Sequence, residues 1–88
     1  MELEQLRTFL AVAECGSFSE AAKRLFVSHS TTSRAVAALE AELGTTLLRR
    51  SSRSVTLTPA GEVLVERAKD LLRQAEAIKQ AVQKTSVS

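Results

Sequence analysis

Between Phe18 and Leu43 two helical patterns are separated by Val27-Ser28 alone, a break too short for a wandering loop. Two helices joined so closely predict a helix-turn-helix, and that geometry constrains the fold more than any other feature. Ser17-Phe18-Ser19-Glu20 matches the capping box, in which a Ser oxygen and a Glu carboxylate satisfy opposing backbone donors. It opens a short helix ending near Phe26, with Phe18, Ala21, Ala22 and Leu25 available to pack. Ser28 is a good N-cap for the next helix, which runs to Leu43 and is closed by Gly44. Upstream, Leu3, Leu6, Phe9, Leu10 and Ala13 recur at helical spacing and predict a first helix over residues 3–14, stopped by Gly16. Helical hairpins of purely structural purpose share this pattern, so the spacing leaves function open.

The next stretch changes character. Leu47-Leu48-Arg49-Arg50 and Ser54-Val55-Thr56-Leu57 flank Ser51-Ser52-Arg53, with β-branched residues at period two, and read as a small β-hairpin, or wing. Thr58-Pro59 starts a final helix, with Thr as N-cap and Pro at the first helical position. Leu64, Ala68, Leu71, Ala75, Ile78 and Val82 are spaced 4-3-4-3-4, an a/d seam. At 1.5 Å per residue the helix reaches ~38 Å, longer than a domain of this size covers. A second copy pairing along the seam is the better reading. The expected organisation is a winged helix-turn-helix domain over residues 1–58, a linker or dimerisation helix over 59–84, and a structureless tail over 85–88.

Eighty-eight residues, 44% hydrophobic and 25% charged, make one small ordered domain rather than a disordered chain. Three Phe and no Trp or Tyr argue against a platform that stacks single-stranded bases. The apolar runs fall far short of a membrane span, and Glu2 and Glu4 stand where a signal peptide is basic. One cysteine, Cys15, excludes an internal disulfide and a CxxC metal site, and a cytoplasmic setting follows. Cys15 reads as a structural thiol in preference to a redox sensor. With one His, one Cys and one Asp there is no metal cluster, carboxylate pair or P-loop, so an enzyme is not expected, and neither is a cofactor.

Charge is unevenly spread. From Lys23 to Thr58 six bases face two acids, giving +4, while the rest carries six bases and eight acids, giving −2. A solvated basic face would account for that alone; a polyanionic partner would too. The third helix separates the two readings. At 100° per residue Thr32, Val36, Leu39 and Leu43 fall together as the inward face, while Ser30, Arg34, Ala37 and Ala41 fall opposite, with Ser33 at the edge. Small outward side chains let a helix sit deep in a major groove, and Arg34 can reach guanine O6 and N7. His29, Ser30, Thr31 and Ser33 occupy the first turns, where a recognition helix meets bases and phosphates. The rival is a dimerising protein–protein interaction module. It explains the seam but not a small-residue face flanked by Arg34 and a basic hairpin.

The stretch from Phe9 to Gly61 resembles the N-terminal DNA-binding region of LysR-type transcriptional regulators. GSFSEAAKRL, the SxSxxSR run at Ser28–Arg34, LExELG at Leu39–Gly44 and LTPAG carry the resemblance, which extends over nearly the whole chain. It implies a mainly α fold, a winged helix-turn-helix of three helices and a β-hairpin followed by a long dimerisation helix. It also implies sequence-specific binding of double-stranded promoter DNA as a homodimer, with a tetramer open to the full-length parent. A C-terminal co-inducer domain, absent from this chain, is implied as well, making the chain the DNA-binding fragment of a longer regulator. The DNA-binding candidates are Ser28, His29, Ser30, Thr31, Ser33 and Arg34 on the recognition helix, with Arg50 and Arg53 on the wing. Leu64, Ala68, Leu71, Ala75, Ile78 and Val82 are the dimer candidates. Three places depart from the family pattern. His29 stands where Gln is usual, and Ser52 and Ser54 where Gly is common. Thr31-Thr32 replaces a more apolar pair, so Thr32 should bury a hydroxyl bonded back to a helix carbonyl.

Overall fold

A computed structural model describes residues 1–52 and 54–86. Four helices, α1 (Leu3–Cys15), α2 (Phe18–Leu25), α3 (His29–Leu43) and α4 (Pro59–Thr85), enclose a hairpin of β1 (Leu48–Arg50) and β2 (Val55–Leu57) placed between α3 and α4. The strands are antiparallel, with Leu48 opposite Leu57 and Arg50 opposite Val55. This is the expected winged helix-turn-helix with a long final helix.

Local chemistry sets the boundaries. Gly16 and Gly44 adopt φ 66°, the left-handed conformation that closes α1 and α3. Ser17 Oγ accepts from the Glu20 N–H (3.2 Å), while the Glu20 carboxylate lies against Lys23 (3.6 Å). Phe26 closes α2 at φ 58° and is 95% exposed. A bulky residue there is strained by about 1–2 kcal/mol, offset by hydrogen bonds that the turn makes to α2. The Phe26 and Val27 N–H groups donate to the carbonyls of Lys23 (3.2 Å) and Ala22 (3.1 Å).

α1 lies at the centre and packs on the other three helices and on β2. Leu6, Phe9, Leu10 and Val12 meet Phe18, Ala21, Val36, Leu39, Leu47 and Ala68 in one core. The inward face of α3 is as expected through Leu39, and Thr32 is fully buried with its hydroxyl donating to the Ser28 carbonyl (3.1 Å). Leu43 departs from the expectation and is 42% exposed, because the last turn of α3 runs beyond the core cluster.

Two further corrections concern α4. Ala68 is 1% exposed and belongs to this chain's own core, and Leu64 leans on that core with Val65 and Leu72. The outer stripe is instead Val63, Leu71, Ile78 and Val82. Among the described residues, none of α4 beyond Leu72 packs on the core. The helix also continues through Thr85, with Ser86 as its cap, where a structureless tail was expected; residues 87–88 lie outside the described residues.

Gly61, in the first turn of α4, is pressed against the backbone of Leu47. A Cβ there would run into the Leu47 carbonyl oxygen and stand 3.1 Å from Leu57 Cδ2. Gly→Ala ordinarily favours a helix by about 1 kcal/mol. Gly61→Ala should do the reverse and lower stability by about 1–3 kcal/mol, the range for overpacking, as read from urea unfolding.

Candidate nucleic-acid interface

The N-terminal turn of α3 is built by Ser28. Its Oγ accepts from the Thr31 N–H (3.0 Å) and lies 2.9 Å from the Thr31 hydroxyl. Ser28 and Thr31 therefore hold the start of the helix rigid, with their hydroxyls turned to one another. His29, Ser30 and Arg34 are exposed beside them, as are Ala37 and Ala41 further along the same helix. The outward face thus has the small, polar relief read from the sequence, with one long cation.

Electrostatics set this face apart from α1 and α2, whose bases all have carboxylate partners. Arg7, Lys23, Arg24 and Arg73 pair with Glu4, Glu20, Glu14 and Asp70. Arg34, Arg49 and Arg50 have no carboxylate partner among the described residues. Each un-neutralised cation leaves the field of the face positive.

The wing is fixed at both ends. The Val55 N–H donates to the Gly16 carbonyl (3.1 Å), tying β2 to the corner between α1 and α2. At the tip the Ser51 N–H donates to the Ser54 carbonyl (2.9 Å), and the Ser54 N–H donates to Ser51 Oγ (3.2 Å). Serines thus close the turn where Gly is common. Arg53 lies outside the described residues. Arg50 crosses from the wing to the helix-turn-helix. Its guanidinium stacks 4.1 Å from the centre of the Phe18 ring, and its Nη2 donates to Ser33 Oγ (3.5 Å). The His29 ring is 5.9 Å from the same Phe18 ring, tilted by 45°.

Two residues of this region were not read as functional from the sequence. Phe18 carries an ordinary core signature, and only the fold reveals the ring as a platform shared by Arg50 and His29. Glu40 counted as one of two acids in a basic stretch. Its Oε2 accepts from the Leu47 (2.8 Å) and Leu48 (3.3 Å) N–H groups and so anchors the start of the wing.

Residues 3–62 match the model of the bacterial regulatory helix-turn-helix proteins of the lysR family. The chain belongs to that family. It is 49% identical over 75 residues to the HTH-type transcriptional regulator TcbR of Pseudomonas sp. (strain P51), covering 85% of this chain and 26% of that regulator. Among solved structures, the CbnR DBD–DNA complex superposes with a TM-score of 0.94 at 43% identity, covering 98% of this chain and 99% of that one. The complex of the BenM DBD with catB site 1 DNA gives 0.96 at 38% identity, covering 100% and 98%. As a LysR-family chain, its relatives are transcriptional regulators. Among the described residues no helix is long and apolar enough to cross a membrane.

The cap on α3 yields a test that needs no ligand. Ser28→Ala removes the acceptor for the Thr31 N–H and should cost about 1 kcal/mol of stability. Hydrogen exchange should quicken first at residues 29–32, because the loss is confined to the first turn.

Proposed function

We propose that this chain binds double-stranded DNA sequence-specifically as a homodimer and is the DNA-binding part of a longer bacterial transcriptional regulator. The observation that carries the reading is the exposed N-terminal face of α3, where Arg34, like Arg49 and Arg50 of the wing, has no carboxylate partner among the described residues. The superposition on CbnR and BenM, both solved with DNA, supports it. Arg34 reads a base edge, with His29, Ser30 and Ser33 around it, while Arg50 and Arg53 act on the backbone. Ser28 and Thr31 serve by holding the helix start. The chain is not an enzyme and works in the cytoplasm, where promoter DNA lies.

Dimerisation runs through α4. The stripe of Val63, Leu71, Ile78 and Val82 is 45–65% exposed on this chain alone. Antiparallel pairing that sets Val63 beside Val82 of a second copy also brings Glu62 and Glu66 toward Lys84 and Lys79. Parallel pairing would place Glu62 against Glu62. Opposed helix dipoles favour the antiparallel choice further.

Leu71 then lies near the two-fold axis, and fully burying a leucine is worth roughly 1.5–3 kcal/mol. Leu71→Lys brings two charges together there and should leave mostly monomer in sedimentation at micromolar concentration, with the fold intact by circular dichroism. An undisturbed dimer would sink this interface. For the DNA face, Arg34→Ala should weaken a duplex selected from a random library by about 1–3 kcal/mol and a scrambled duplex much less. Equal losses on both would make Arg34 a phosphate anchor.

A further inference from the structure

Between the wing and the helix-turn-helix lies an open cleft of about 280 Å³. Phe18 forms one wall and five serines contribute to the rest; among the described residues, His29 and Arg50 are its ionisable groups and no carboxylate lines it. We propose that this cleft seats a DNA backbone phosphate between Arg50 and the imidazolium form of His29, so that DNA binding takes up a proton. The inference rests on the DNA reading above and assigns that interface a ligand position and a protonation state.

The geometry favours an anion. Stacking on Phe18 engages the face of the Arg50 guanidinium and leaves its in-plane N–H donors to hydrogen bond, one of them to Ser33. His29 lies against the same ring and lines the same cleft as Arg50. A phosphate seated between them favours the charged imidazole. Other charges on the elements around His29 do not compete. On α2, Glu20 pairs with Lys23 and Arg24 pairs with Glu14. On α3, Glu40 is engaged by the wing N–H groups, Glu42 by the N-terminal amine, and Arg34 adds positive charge. Arg49, on β1, alternates away from Arg50.

His29 is the one histidine of the chain, and imidazole is the side chain that ordinarily changes charge between about pH 5 and pH 8. The probe is a random-sequence duplex, which offers phosphates without a preferred base sequence. Affinity should fall about tenfold per protomer from the acidic to the alkaline end of that range, as one charge-assisted contact is lost. The salt slope should be steeper at the acidic end by about 0.9 per protomer. His29→Gln should bind with no pH dependence and with the parent's alkaline salt slope throughout. His29→Lys, permanently charged, should keep the acidic slope at every pH. Both substitutions are at an exposed position, and circular dichroism checks the fold. A parent affinity that is flat with pH, or a pH dependence that survives in His29→Gln, overturns the proposal. So does a pH dependence confined to a selected specific site, which would assign His29 to a base. A dimer that binds no duplex at any pH would remove the DNA reading and this inference together.

Discussion

Leu47 is the residue on which the rest of the architecture closes. Its side chain is 1% exposed in the core, and its N–H donates to the carboxylate of Glu40 on α3 (2.8 Å). Its carbonyl accepts from the Thr58 N–H (3.0 Å) and the Thr58 hydroxyl (3.2 Å) at the start of α4. The same hydroxyl donates to the Thr46 carbonyl (2.7 Å) and accepts from the Gly61 N–H (3.0 Å). Recognition helix, wing and long helix are therefore tied at one buried point. A charged acceptor such as Glu40 strengthens its bonds to about twice those of neutral groups. Gly61 is needed because any side chain there would occupy the space of the Leu47 carbonyl.

This knot makes the candidate interface a rigid body instead of a helix with a loose hairpin beside it. The wing is held at its first strand by Glu40 and at its second by the Gly16 carbonyl. Arg50 adds a third tie, from β1 across Phe18 to Ser33. Orientation fixed before binding lowers the entropy that association must overcome. The proposed DNA contacts on α3 and on the wing are thus set relative to one another within the protein, by Glu40, by the Gly16 carbonyl and by Arg50.

Much of the fold was legible because its signals are local. Gly16, Gly44, Ser17, Ser28 and Thr58 end or start helices by their own backbone and side-chain preferences, and all do so where the sequence places them. The Thr32 hydroxyl was legible for the same reason, since its acceptor lies one turn back. What remained hidden depends on neighbours distant in sequence. Whether Leu43 is covered depends on where the core ends, and Phe18 becomes a platform only when the wing folds over it. Glu40 looks like a solvent acid until Leu47 arrives beneath it. At the site, the exposed positions of α3 could be read from helical projection, whereas the engagement of Ser28 and Thr31 with each other could not.

The seam on α4 shows the same limit most sharply. Heptad spacing detects that a stripe is apolar, and it does not say which partner covers it. Here one helix serves two: the core takes Leu64, Ala68 and Leu72, and Val63 and Leu71 stand just to the side. Val63 and Leu64 are adjacent in sequence and differ by about 100° around the axis, so the division turns on the direction from which α1 approaches. Past Leu72 the core ends, and Ile78 and Val82 continue the outer stripe without a covering element among the described residues. The outer stripe is the part we propose for a second copy, and the inner one fixes its direction relative to α3. The distance and orientation between two recognition helices in a dimer are then set by how α4 is shared between its own core and its partner.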